Sequence, residues 1–125
     1  MVLTPDNAPE VVYRRRLAEG AISYQSCDAC GHLVFPPRVL CPGCGDTALS
    51  WRDSQGLGEV YSATTVHRRG EDPYNVSIIT MDEGFRMMTN VVGMPPEDVA
   101  IGMRVQATIS ELADGAVPLF GPESR

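Results

Sequence analysis

Apolar and polar positions change rhythm near residue 55, and the two stretches on either side predict different architectures. Downstream, Val60, Ser62, Thr64 and Val66 alternate with Tyr61, Ala63 and Thr65, a β-branched pattern of period two that predicts a strand over residues 58–67. Residues 68–73 read as its exit loop. Residues 74–81 and 85–92 predict two more strands, with Asp82, Glu83 and Gly84 as the tight turn of a hairpin. Gly93, Met94, Pro95 and Pro96 break the sheet and leave room for one helical turn before Val99. After Gly102, Val105, Ala107 and Ile109 alternate with Arg104, Gln106, Thr108 and Ser110, one face dry and one wet. Ala113, Asp114 and Gly115 turn the chain into a short last strand over 116–120, where Pro118 favours a sheet edge. Five strands with a break between the third and fourth outline an OB-type barrel, closed so that its edges are covered.

Upstream the pattern is different. Asn7 followed by Glu10 has the spacing of a capping box, and Pro9 suits a first turn, so residues 8–19 predict a helix that stops at Gly20. Arg14, Arg15 and Arg16 lie on its polar side, and Tyr13 and Leu17 stand one turn apart. So short and weakly amphipathic a helix persists only if it docks. The arginines read as a solvated face, with a basic ledge for a phosphate or an acidic partner as the sharper reading. Residues 22–52 carry all four cysteines. The organisation expected is a helical segment 1–21, a cysteine module 22–54 and a barrel 55–125.

Charge narrows the choice of partners. Residues 1–52 hold five acids and five arginines, whereas residues 53–125 hold eleven acids and five arginines, giving the net charge of −6. An acidic barrel repels phosphate backbones, and single-strand binding needs aromatic platforms in a positive groove. Tyr61, Tyr74, Phe85 and Phe120 are the only aromatics of the barrel segment, so a nucleic-acid module ranks low. The apolar runs are far shorter than the roughly 20 residues that cross a bilayer, and the first residues lack a basic and then apolar leader. A cytoplasmic location is expected. There thiols stay reduced, which favours metal over disulfides for close cysteine pairs.

Cys27-Asp28-Ala29-Cys30-Gly31 and Cys41-Pro42-Gly43-Cys44-Gly45 are two CxxCG knuckles separated by ten residues. Two residues between thiolates let one turn aim both sulfurs at a single ion, and the following glycine permits the positive φ such a turn requires. Two knuckles complete a tetrahedron. The expected occupant is one structural zinc ion held by Cys27, Cys30, Cys41 and Cys44, with iron as a substitute the same sulfurs could hold. With every position filled by protein, no catalytic water has a place. Such a site contributes on the order of 10 kcal/mol to folding, enough to organise a segment with little core.

The remaining candidates have plainer readings. His32 beside a knuckle and His67 at a strand end are the only histidines, and neither sits in a catalytic signature. Asp82 and Glu83 are ordinary turn residues, and Met87, Met88 and Met94 are core filling first, an adaptable contact surface second. Phe35, Pro36, Pro37 and Arg38 form a stiff apolar tip between the knuckles that costs little entropy to dock, a candidate contact for a partner or an acyl-CoA. The alternative is that Phe35 packs beneath the barrel.

The order of these motifs resembles a known family. CxxCG, then Phe35-Pro36-Pro37-Arg38, then CPxCG, are followed by Gly58-Glu59-Val60-Tyr61-Ser62, Val66-His67-Arg68, Asp82-Glu83-Gly84, Asn90-Val91-Val92-Gly93 and Ile101-Gly102-Met103. Together they are similar, over roughly residues 8–121, to the acyl-CoA-associated family of thiolase partners. The resemblance implies a mainly β chain with an N-terminal helix, a rubredoxin-like zinc ribbon and a C-terminal five-stranded OB-fold. It also implies a non-catalytic accessory subunit that binds a thiolase-like or hydratase-like protein and helps position an acyl-CoA. Two other functions remain open: a stand-alone enzyme that binds acyl-CoA or transfers acyl groups, and an OB-fold single-strand binder.

Overall fold

The computed structural model describes residues 8–112 and 115–123. Asn7, and the turn expected at Ala113 and Asp114, lie outside these residues. Helix α1 runs Pro9–Ala18, with Pro9 at its first position, Glu10 in the first turn and Arg15 and Arg16 in the last, the charge order that suits a helix dipole. Gly20 at φ 98° ends it. There Ala21 N–H reaches Arg16 O and Gly20 N–H reaches Leu17 O, both at 2.9 Å, the double bond pattern of a Schellman stop.

The chain divides into two compact units, residues 1–55 with 111–117, and residues 56–110 with 118–125. In the first unit, strands β1 (Ile22–Cys27), β2 (Leu33–Val34) and β3 (Leu49–Ser54) form a sheet in the order β2-β1-β3. Helix α1 packs on β1 through Leu17, which is fully buried. Strand β1 is buried at Ile22, Ser23, Tyr24 and Gln25 in succession. The docking expected of the helix is thus met by the ribbon strands. Asp53 on β3 ties the pieces together, accepting from Arg16 at 2.9 Å and from Ser23 at 3.0 Å. The Arg16 guanidinium also lies 5.5 Å from the centre of the Trp51 ring, and Arg14 pairs with Glu10 at 2.7 Å. Two of the three arginines of the supposed ledge therefore already face carboxylates.

The second unit carries the barrel sheet, except for residues 111–112 and 115–117 of its last two strands, which fall in the first. Strands β4 (Leu57–Val66), β5 (Tyr74–Met81), β6 (Arg86–Thr89), β7 (Arg104–Leu112) and β8 (Gly115–Pro122) lie in the order β6-β5-β4-β7-β8, with a 3₁₀ turn at Pro96–Asp98 in the break. The pairs β4–β5, β4–β7 and β5–β6 are antiparallel. The sheet curls until its ends meet. Val91 and Phe120 form a parallel bridge, with Val92 N–H to Phe120 O at 2.7 Å and Phe120 N–H to Asn90 O at 3.1 Å. Inside are Val60, Ile79, Met81, Phe85, Met87, Val91, Val105 and Phe120. The mainly β chain of helix, ribbon and five-stranded OB-type sheet is the architecture expected.

Several details depart from the expected pattern. The third barrel strand ends at Thr89 instead of 92, because the residues beyond it turn to meet β8. The last strand is eight residues long, more than expected, and Pro118 lies on it at the outer position of the sheet order. The two adjacent methionines divide: Met87 is buried and Met88 is 69% exposed. Tyr61 falls at a register shift between Val60 and Ser62, a bulge that leaves its ring half exposed beneath Arg86, 3.7 Å away. Gly58 is needed for close approach: a Cβ there would stand 2.6 Å from Ile79 Cγ2 and 2.8 Å from Thr80 O. Among the described residues, no helix is long and apolar enough to cross a membrane.

Candidate metal centre

The two knuckles are the same turn used twice. Cys27 ends β1, where its N–H bonds to His32 O at 2.9 Å, and Gly31 N–H returns to Cys27 O at 2.8 Å. In the second knuckle Cys41 N–H bonds to Asp46 O at 2.9 Å, and Gly45 N–H returns to Cys41 O at 2.8 Å. Gly31 and Gly45 have φ of 79° and 80°, the left-handed conformation that their place after each second cysteine demands. Side chains brace both turns. Ser50 donates to Asp28 at 2.6 Å, and the Asp46 carboxylate accepts from Ala48 N–H at 2.8 Å.

Facing each other, the knuckles bring four sulfurs within 4.8 Å of one another. Cys27 and Cys44 Sγ are 3.6 Å apart, and Cys30 and Cys41 Sγ 3.7 Å. A tetrahedral ion with metal–sulfur bonds of about 2.3 Å needs sulfurs about 3.8 Å apart. The donor set fits: one cysteine of each knuckle is buried and the other exposed, and all four are free thiols. The chain therefore contains four cysteines positioned to bind a metal ion. The expected positions Cys27, Cys30, Cys41 and Cys44 all fall in this one cluster.

Main-chain donors and thiol crowding pull on the same sulfurs. Burial acts to raise Cys41, yet N–H groups of Cys44 and Gly43 bring it down to about 7, the latter 3.3 Å from its sulfur. At Cys44 the Asp46 N–H acts to lower the thiol, but the neighbouring Cys27 and Cys30 push it up to about 12. Cys30 is also raised, burial and the Cys27 and Cys41 thiols outweighing the His32 N–H. Four negative sulfurs so close need a cation among them, whose charge inverts this order.

His32 stands exposed beside the second knuckle, where a methyl on Gly43 would lie 3.5 Å from its Cγ. His67 is exposed at the end of β4. The tip between the knuckles is better anchored than its sequence indicates. Buried Gln25 on β1 accepts from Arg38 N–H at 2.7 Å and donates to Arg38 O at 2.9 Å. The Phe35 ring meets Tyr13 of α1 edge-on at 5.6 Å, so it packs on the helix, and burial pushes the Tyr13 hydroxyl up to about 12. Pro36 and Arg38 are exposed and Pro37 half-buried. Val39 and Leu40, 38% and 49% exposed, extend this surface. Sequence reasoning missed Gln25, Val39 and Leu40. An apolar pair beside the stiff Pro36-Pro37 segment was the available signal for the last two.

Comparison with known proteins places both units. The family model described as the ChsH2 rubredoxin-like zinc ribbon domain matches residues 14–50, and the ChsH2 C-terminal OB-fold domain matches residues 51–110. A DUF35 domain-containing scaffold protein of Methanocaldococcus jannaschii is 38% identical over 104 residues, covering 76% of this chain and 74% of that protein. A probable enoyl-CoA hydratase alpha subunit of Thermomonospora curvata is 37% identical over 118 residues, covering 90% of this chain. The chain spans 35% of that relative's length. A solved structure described as the Ltp2-ChsH2(DUF35) aldolase superposes with a TM-score of 0.78 at 31% identity, covering 98% of both chains.

Proposed function

The chain belongs to the DUF35 family, in which a ChsH2-type zinc ribbon is joined to an OB-fold, and on that premise we propose that it is a non-catalytic accessory subunit of an acyl-CoA-processing enzyme. Its partner is a hydratase-like, aldolase-like or thiolase-like protein that performs the bond chemistry. One observation carries the reading: the sulfurs of Cys27, Cys30, Cys41 and Cys44 lie within 4.8 Å of one another, four donors that would fill a tetrahedral shell and leave no open position for a substrate or water. The ion is zinc, held for structure. The named relatives, a scaffold protein, a hydratase subunit and an aldolase component, support the partner class.

The ribbon tip is the proposed contact. Phe35, Pro36, Pro37 and Arg38, extended by Val39 and Leu40, present an apolar surface whose main chain Gln25 already holds, so little order remains to be lost on docking. Co-expression with neighbouring reading frames and affinity purification tests the proposal. The expected result is co-elution with a hydratase-, aldolase- or thiolase-like protein, stoichiometric zinc by elemental analysis, and no turnover of acyl-CoA by the purified chain alone. Leu40→Asp should abolish co-elution while leaving zinc content unchanged. Turnover by the isolated chain that is lost in His67→Ala would overturn the reading, as would recovery of the chain without any such protein.

A further inference from the structure

The barrel unit contains a cleft that the accessory role does not use. It measures about 490 Å³, within the range of small-molecule sites. It lies where the start of β5, the segment after β6 and strand β8 come together, and its walls include Tyr74, Val92, Met94 and Leu119. Asn75 and Asn90 add amides. Asn75 is fully engaged in structure, bonding Val91 N–H at 2.8 Å, Ser77 at 3.0 Å and the Val91 carbonyl. Asn90 donates through Nδ2 to Asn75 O and keeps its Oδ1 as an acceptor. The cleft thus offers an apolar wall and an amide acceptor.

We propose that this cleft binds the acyl chain and adjoining amide arm of a thioester, leaving the CoA nucleotide to the partner. The inference rests on the reading above that CoA esters are the substrates. Volume and lining suit an apolar chain, and Asn90 suits an amide N–H. Charge decides against the nucleotide: the barrel unit holds eight acids, Glu59, Glu71, Asp72, Asp82, Glu83, Glu97, Asp98 and Glu123, against five arginines. Glu71 and Asp72 immediately precede Pro73 at the cleft, and Glu97 and Asp98 follow Pro96. Arg68, over the Tyr74 ring at 6.0 Å, and its neighbour Arg69 offset part of that charge. Several phosphates at such a rim meet repulsion.

Calorimetric titration of the purified, metal-loaded chain with S-octanoyl-pantetheine, pantetheine, octanoyl-CoA and CoA tests the assignment. Octanoyl-pantetheine should bind at least as tightly as octanoyl-CoA, and pantetheine and CoA at least tenfold more weakly than their octanoyl esters. Val92→Trp, at a 44%-exposed position, and Met94→Trp should fill the cleft and weaken octanoyl-pantetheine at least tenfold, with circular dichroism unchanged. Binding of CoA as tight as octanoyl-CoA, silence from all four compounds, or folded tryptophan variants that bind like the parent each overturn the inference. Partner co-elution is read separately, so a failed titration with intact co-elution removes the cleft assignment and leaves the accessory role standing.

Discussion

Removing the metal should dismantle the ribbon and spare the barrel. The ribbon's knuckle end has a very small core: Cys27, Val34 and Cys41, with Leu49 packed against them. Two of those four are metal ligands, so only Val34 and Leu49 are independent of the ion. Burying each is worth roughly 1.5–3 kcal/mol, about 3–6 kcal/mol together, against on the order of 10 kcal/mol for a structural zinc site. Most of the stabilisation of the knuckle end therefore leaves with the metal. Trp51, the single tryptophan, pairs with Gln25 in the ribbon sheet, so its emission reports this unit alone. Extraction with a strong chelator, followed by native mass spectrometry to verify an ion-free chain, should shift Trp51 emission to the red. A separate transition for the barrel should survive on heating, and Cys27→Ser should behave like the chelated protein. An ion-free chain with unchanged emission and melting would refute the reasoning, because the packing of α1 on β1, with Leu17, Ile22 and Tyr24 buried, would then hold the ribbon without the ion.

Three further perturbations address the barrel. Gly58→Ala pushes a methyl into Ile79 and the β5 main chain and should cost about 1–3 kcal/mol; an unchanged melting temperature would contradict the close approach. Asn75→Ala leaves the Val91 N–H and carbonyl without their buried partners and should cost about 2–4 kcal/mol in urea unfolding, whereas a cost near zero would mean that water replaces the amide. Arg104 grips Asp82 with bonds of 2.7 and 2.8 Å and Glu123 at 3.1 Å, which holds the Asp82 carboxyl below its ordinary value, the hydrogen bond counting most. A depressed carboxyl stabilises the fold above its unfolded pKa of about 3.9 and loses that contribution as pH falls through the folded value. Melting temperature should therefore drop below about pH 4 more steeply in the parent than in Arg104→Gln, and parallel curves would dismiss the pair.

What could be read from the chain depended on how one-sided each element is. Strand β5 alternates strictly between half-buried and buried residues, and its expected limits of 74 and 81 match the structure. The knuckles were legible because sulfur spacing and glycine placement are local requirements. The ribbon strands were not, because β1 is enclosed on both sides and shows no alternation: Ser23 and Gln25 are as buried as Ile22 and Tyr24. Gln25 reads as polar and exposed until its bonds to Arg38 are known. The same holds for Asn75 and Ser77, buried polar residues on a barrel strand. The cleft arises from residues distant in sequence, Tyr74, Val92 and Leu119, whose approach depends on closure of the sheet.

That closure is slight. Among the described residues, the gap between the first and last strands of the sheet order is spanned by the Val92 and Phe120 amides and by the Thr89 hydroxyl, which donates to Pro118 O at 3.3 Å, whereas β4 and β5 are zipped over eight paired positions. The seam is where the barrel should breathe first, so hydrogen exchange at Val92 and Phe120 should outpace that at Ile79. Because Val91 and Val92 belong to both seam and cleft, an occupant lodged there would act as a latch, slowing exchange at the Val92 and Phe120 amides.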